Sequence, residues 1–377
     1  MVKKDGTKFQ ILVTIIGFLF LLFVPSIAWM FCHDAVGDET SENRELAKMP
    51  EFGMEKISEF PSAFESFWND HVPFRKNIRE AWTWLNHAVF EDSPSEMVVL
   101  GKDQGDGARK RWLFYNGEDE RSPLRDTQGI TEPYSEKMKE AAVGIMRANE
   151  WILKTRGIDF YLLVIPHKED AYREFLPDNI EIYKQKSRDE ELVELLQENF
   201  DNVIYAKDEI MGAKEVGQLY YRDDTHWNAL GAFYGFKAFM NRAFPGFKDF
   251  SYDVEWSDWQ VRDFDLPKLM NVQGYYMDKL PTVAYKPEVV FEEKIEENVV
   301  EETNERAAIK KTVLIVGDSY RTALLPYFGK IFSKVIGVHR DNYEPGMLEK
   351  YKPDVIIGEA VERFALAGGA FPLVDMF

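Results

Sequence analysis

Two short segments hold side chains that could run acyl chemistry. The first is Gly317-Asp318-Ser319, which follows the apolar run Val313-Leu314-Ile315-Val316. A serine there ends a buried strand and opens a helix. Open α/β sheets place their sites at such strand ends, and the N–H groups of a helix start can hold an oxyanion. Gly317 permits a tight turn and a close approach of substrate. The competing reading is that Asp318 or Ser319 only caps the helix.

A serine hydroxyl needs a base. The chain has six histidines, and His226 stands out among them. It lies in Asp223-Asp224-Thr225-His226-Trp227, between the strand-like Gln218–Arg222 and a helix beginning near Asn228. A carboxylate at Asp224 can orient the imidazole and stabilise its charged form. Here too a cap is the rival, with Asp223, Asp224 and Thr225 serving the helix. Metal binding by Asp223, Asp224 and His226 is a further rival, but no other His–carboxylate cluster supplies the missing ligands. No metal or other cofactor is therefore expected. Weaker candidates for oxyanion or substrate contacts flank these loops: Gly317 itself, and Tyr320 and Arg321 in the turn after Ser319. His167 and Lys168 follow one strand, and Glu359 and Arg363 follow or end the last one.

The elements that must position these groups alternate in type. Asp159–Pro166, 202–206, Gln218–Arg222, 312–317, 334–338 and 354–359 read as strands, with two short ones at 97–100 and 112–115. Glu136–Thr155, Glu190–Asn199, Asn228–Phe244 and Tyr320–Phe332 read as helices. The continuous apolar strands suit a mostly parallel sheet covered on both faces. Residues 250–300 break this rhythm and predict a β-rich excursion with a solvated, Glu-rich loop. Ser58–Phe90 carries aromatics at helical spacing and is interrupted by Pro73.

In order and spacing these motifs resemble the SGNH hydrolase-like domain of the alginate O-acetyltransferase family. Asp224-Thr225-His226-Trp227 and Gly317-Asp318-Ser319-Tyr320 carry the resemblance. It extends to Glu42-Asn43-Arg44, to residues 64–75 with a DH-x-PFR element, to 112–115, and to Ile165-Pro166-His167-Lys168 with Leu176-Pro177. The resemblance implies an SGNH-like, flavodoxin-like α/β fold over residues 91–377, with Ser319, His226 and Asp224 as the triad. It implies O-acetyl transfer to an exported or cell-surface polysaccharide, or the related ester hydrolysis. A multi-pass membrane acyltransferase would bring the acetyl donor. The segment 102–111, KDQGDGARKR, departs from the family pattern as an insertion. A rival of another class is an inactive anchored scaffold that binds a glycan.

The chain has 377 residues and a formal net charge of -19, which excludes a nucleic-acid partner held by its phosphates. From Ile11 to Cys32 the sequence is apolar and uncharged, long enough to span a bilayer as a helix. Lys3, Lys4 and Lys8 precede it, and acidic residues follow. The positive-inside rule then places 1–32 as cytoplasmic tip and anchor, 33–90 as tether and helical segment, and the catalytic domain on the periplasmic or extracellular side. A cleaved signal peptide, with Ser26-Ile27-Ala28 as its cleavage site, is the other reading. Cys32 is the only cysteine, so the body beyond it holds no disulfide.

Overall fold

The structure is a computed structural model. It describes residues 11–20, 23, 27, 47–50, 58–71, 75–117, 122–248, 251–262, 264–285, 289–296 and 298–365, with residues 75–79 for their backbone only. The chain divides between Val89 and Phe90 into two units. In the first, α1 (Phe60–His71) stacks Phe60 on Phe64 and Phe64 on Trp68, at centroid distances of 5.8 and 6.5 Å. Helix α2 (Arg75–Phe90) follows. Pro73, the 42–44 segment and most of the expected tether lie outside the described residues. Within the expected anchor, residues 11–20, 23 and 27 are helical and exposed, and the rest lies outside the described residues. Among the described residues no helix is long and apolar enough to cross a membrane.

The second unit opens with a ribbon of β1 (Val98–Leu100) and β2 (Leu113–Tyr115). Helices α3 (Pro123–Gln128) and α4 (Glu136–Thr155) lead to β3 (Asp159–Ile165). Then come α5 (Lys168–Ala171), α6 (Arg188–Asn199), β4 (Val203–Tyr205), α7 (Lys207–Gly212) and α8 (Ala229–Ala243). The excursion contains β5 (Tyr252–Trp256), β6 (Gln260–Val261), α9 (Asp265–Leu269), β7 (Met277–Asp278) and β8 (Pro281–Tyr285). It pairs β5 with β8 and β6 with β7, both antiparallel. The chain closes with β9 (Glu292–Glu296), β10 (Val299–Thr303), β11 (Ile309–Gly317), α10 (Arg321–Ile331), β12 (Phe332–His339), α11 (Gly346–Tyr351), β13 (Val355–Val361) and α12 (Glu362–Ala365).

One seven-stranded sheet carries the domain, in the order β4-β3-β13-β11-β12-β10-β9. The run from β4 to β12 is parallel, and β10 and β9 add an antiparallel edge. Alternate residues of β11 face opposite ways, as a pleated strand requires. Val313 and Ile315 join a core with Phe233, Phe236 and Phe239 of α8 and Leu324 and Phe328 of α10. Leu314 and Val316 join a second core with Met146 and Leu153 of α4 and Leu192 and Leu196 of α6. Helices therefore cover both faces, as the apolar strands predict.

Counting from β11, through β12 and β13 and then β3 and β4, the parallel strands lie in the order 2-1-3-4-5. That is the flavodoxin-like order, entered at a different point of the cycle. The strand that carries the serine thus comes late in the chain, and the loop that carries the histidine comes before it.

Two expectations are corrected. The run Gln218–Arg222 is not a strand; its one ladder contact is a bridge between Tyr220 and Trp227. Its peptide groups are satisfied elsewhere: the Gln218 carbonyl accepts from the Asn228 side chain, the Leu219 N–H donates to the Tyr172 hydroxyl, and the Arg222 carbonyl accepts from Leu113 N. The Glu-rich run is not a loop; β9 and β10 form a hairpin that extends the main sheet. Every residue of β9 is exposed, and its charges suit an edge strand that must not recruit another chain.

Candidate active site

Ser319 follows β11 and stands exposed between two buried neighbours, Asp318 and Tyr320. It does not cap α10, whose first residue is Arg321 and whose start has no side-chain cap. Asp318 is occupied as a brace instead: one carboxylate oxygen accepts from Tyr320 N and the other from Val361 N at the end of β13, both at 2.9 Å. The Ser319 loop is thereby tied to the neighbouring strand.

The Asp224–His226 loop is likewise not a cap. Asn228 fills that role, accepting from Leu230 N and Gly231 N at 3.0 and 3.1 Å. Such a cap contributes about 1 kcal/mol and leaves the residues before it free for other work. His226 Nε2 lies 2.6 Å from Ser319 Oγ, and Nδ1 lies 2.6 Å from Asp224 Oδ1. The same carboxylate oxygen accepts the His226 backbone N–H at 2.9 Å. The order serine, imidazole, carboxylate is complete. Burial by itself would push the imidazole down; the bond to Asp224 and the charges of Asp224 and Asp265 outweigh it and hold His226 above its usual range. Burial would push Asp224 up, but its bonds to His226 hold it below the usual carboxylate range. The pair can accept the serine proton and keep the resulting charge.

The two loops are also joined behind the triad. Trp227 Nε1 donates to the Tyr320 carbonyl at 3.1 Å, and the Tyr320 hydroxyl donates to the Thr225 carbonyl in a short bond. The Tyr320 ring packs 4.8 Å from the imidazole. Tyr320 is buried, so it holds loops together and does not face a substrate.

Lys168 is placed differently from its expected substrate contact. It is fully buried, and its ammonium donates to the carbonyl oxygens of Asp224, Tyr221 and Arg222 at 2.6, 3.3 and 3.3 Å. Burial pushes that ammonium below its ordinary range. His167 is turned away from the triad, 3.5 Å from Asp189 and 3.7 Å from Glu362 in a buried cluster. Arg321 donates to the Asp318 carbonyl at 2.8 Å. Arg363 is half-buried, lies against Tyr320, and its charge is felt by His226. Gly317 must lack a side chain: a Cβ there would come 2.2 Å from the Glu359 carboxyl and 2.9 Å from the Glu359 carbonyl oxygen. Burial, then the nearby Asp318, push the Glu359 carboxyl well above its usual range.

The loop 102–111, expected to be an insertion, packs onto the Asp224–His226 loop through Arg222, which binds Asp106 and the Lys110 carbonyl at 2.9 and 2.6 Å. Asp265, the residue that sequence reasoning missed altogether, binds Thr225 from the excursion. Nothing in its surrounding sequence marks it. Asp224, His226 and Asp265 each offer a ligand atom within 4.8 Å of the others, as do Asp126, His167 and Asp189. Asp223, named in the sequence-level metal alternative, is not in either group.

A sheet of this order, with Ser319, His226 and Asp224 hydrogen-bonded in series at its carboxyl edge, has the arrangement that acyl chemistry on a serine requires. Residues 104–326, more than half of the chain, match the family described as SGNH hydrolase-like domain, acetyltransferase AlgX, and the chain belongs to that family. It is 25% identical over 174 residues to the probable alginate O-acetylase AlgJ of Pseudomonas syringae pv. tomato, covering 45% of this chain and 39% of that protein. The AlgJ protein of Pseudomonas aeruginosa matches at the same identity, length and coverage. The chain thus matches about two-fifths of the length of these relatives. Among solved structures, Bacillus cereus PatB1 shares the fold, with a TM-score of 0.53 and 15% identity over 74% of this chain and 100% of that one.

Proposed function

We propose that this protein is a membrane-anchored O-acetyltransferase that acts on a polysaccharide outside the cytoplasm, through an acyl-enzyme on Ser319. The observation that carries the reading is the pair of 2.6 Å contacts linking Ser319, His226 and Asp224. His226 takes the Ser319 proton as Oγ bonds to the carbonyl carbon of an acetyl donor. The oxyanion lies beside the start of α10, where N–H groups and the helix dipole favour negative charge. The intermediate collapses, His226 returns its proton to the leaving group, and acetyl-Ser319 remains. A sugar hydroxyl then gives its proton to His226, attacks the acyl carbon, and leaves as the acetyl ester while Ser319 recovers its proton.

Family membership and the names of the curated relatives support acetyl transfer and a polysaccharide acceptor. The uncharged apolar run from Ile11 to Cys32, with lysines before it, supports an anchor with the catalytic unit on the periplasmic or extracellular side. An external donor requires a multi-pass membrane acyltransferase to carry acetyl groups across. A second reading, a polysaccharide acetylesterase, is favoured by the exposure of Ser319, which leaves water free to reach the acyl carbon.

The test is turnover of a chromogenic acetyl ester by the parent protein and by Ser319→Ala, followed by addition of oligosaccharide acceptors. Loss of turnover in the variant with the fold intact supports the nucleophile. Acetylated oligosaccharide supports the transferase, and acetate alone supports the esterase. Equal turnover by both proteins removes Ser319 from the chemistry.

A further inference from the structure

A second carboxylate stands behind His226. Asp265 is the first residue of α9, in the excursion between β6 and β7. Its Oδ1 accepts the Thr225 backbone N–H at 2.9 Å, and its Oδ2 accepts the Thr225 hydroxyl in a short bond. The Thr225 hydroxyl is 3.3 Å from His226 Nδ1, and Asp265 Oδ2 is 3.9 Å from it. The carboxylate is not spent on its own helix, which starts without a side-chain cap.

The other side of the same peptide is also held. The peptide unit joining Asp224 to Thr225 offers one carbonyl and one N–H. Lys168 Nζ donates to that carbonyl at 2.6 Å, and Asp265 accepts from that N–H. A cation and an anion, on two separate elements, therefore pin one peptide plane from opposite ends. Both bonds are charge-assisted and so stronger than neutral ones. Asp224 and His226 share one loop and would swing together if that loop moved. Their mutual bond cannot aim the imidazole at Ser319, so an anchor outside the loop is required.

We propose that Asp265 is a positioning residue of this site: through Thr225 it clamps the triad loop from the excursion side and sets a second negative charge beside the imidazole. The proposal rests on the reading of Ser319 and His226 as nucleophile and base. Helix α9 of the excursion then forms part of the catalytic apparatus rather than an appendage. The charged groups that face His226 are Asp224, Asp265 and Arg363, and Lys168 lies near both carboxylates. Burial and the neighbouring Asp224 push the Asp265 carboxyl up, whereas Asp224 is held down by its direct bonds to the imidazole. Environments that push two carboxyls apart give them different roles: Asp224 balances the imidazolium, and Asp265 holds the loop.

The test uses the full-length protein in detergent, with Asp265→Asn and Asp265→Glu. NMR titration of the His226 imidazole, assigned through His226→Gln, is read beside kcat/KM for an acetyl ester across pH. Asp265→Asn should lower the imidazole pKa by roughly one unit, move the acid limb of the rate profile down with it, and reduce kcat about tenfold or more through misplacement. Asp265→Glu should keep the titration near that of the parent. A His226 titration in Asp265→Asn that superimposes on the parent overturns the proposal. If Asp265→Asn does not fold, Asp265→Ser removes the carboxylate with a smaller side chain, and a His226 titration there that superimposes on the parent overturns the proposal equally. A parent protein that turns over no ester, yet shows the titration shift, keeps the Asp265 coupling and removes the acyl-transfer reading.

Discussion

The buried ammonium of Lys168 donates to the carbonyl oxygen of Asp224 at 2.6 Å, so a lysine after β3 holds the loop that carries His226. The same ammonium reaches two more carbonyls of that loop. Lys168→Met should leave buried acceptors unpaired, at a cost of about 1–3 kcal/mol in stability. It should also lower kcat by about 10²-fold as the imidazole drifts from Ser319. Thermal unfolding and ester turnover measure the two effects. A variant with parental kcat would show that the loop holds its place without the lysine.

Activity should fall in acid as His226 takes up a proton, because the base must be neutral to accept one from Ser319. The Asp224 bond holds the imidazole above its ordinary value of 6.5, so the acid limb of kcat/KM should lie above that pH. In Asp224→Asn the bond and the charge that raise it are gone and burial dominates. The limb should then move to lower pH, and kcat should drop by about 10⁴-fold. A limb that stays in place would sever Asp224 from the proton transfer.

Gly317→Ala is a one-carbon change with a definite obstacle. The added Cβ would meet the Glu359 carboxyl at 2.2 Å and, less yieldingly, the Glu359 backbone oxygen at 2.9 Å. Strand β11 would have to part from β13 at the point where Asp318 ties them. The expected loss is about 1–3 kcal/mol of stability, with kcat falling further than the stability loss alone would suggest. A melting curve and turnover like those of the parent would contradict this.

Asp223 supplies a prediction about stability rather than rate. It is fully buried, and neither carboxyl oxygen meets a hydrogen-bond partner from another residue. Burial, then the neighbouring Asp278, push its carboxyl up to about 8 from 3.8. Between those values the folded chain holds a proton that the unfolded chain has lost, so stability should fall as pH rises through that window, by about 1.4 kcal/mol per pH unit. Asp223→Asn carries no such proton. Its melting temperature, relative to the parent, should therefore be higher at pH 8 than at pH 5. An equal difference at both pH values would mean that the carboxyl is ionised in the folded protein.

Part of this site was legible because its signals are local. Gly317-Asp318-Ser319 directly follows an apolar strand, so its place at a strand end can be read from adjacent residues. Asp224 and His226 are two residues apart, so a single turn is enough to bring them together. The helix at 188–199 was expected two residues late because Ser187, its cap, lies outside the apolar repeat. The Gln218–Arg222 run misled for a similar reason: its composition suits a strand, but its hydrogen bonds go to Asn228, Tyr172 and Leu113, and composition does not reveal hydrogen-bond partners.

The sequence by itself determined the alternation of elements and the covered sheet, and it singled out Ser319, His226 and Asp224 as candidates, because periodicity and short spacings are properties of neighbouring residues. Only the tertiary structure decided the rest. Strand order brought Ser319 to His226, and Asn228 rather than Asp224 took the helix cap. Lys168 was drawn inside to hold a loop, and Asp265 was brought up to Thr225 from the excursion. These are long-range contacts between polar groups, chosen by which partners remain once the apolar faces have closed. No pattern along the chain records that choice.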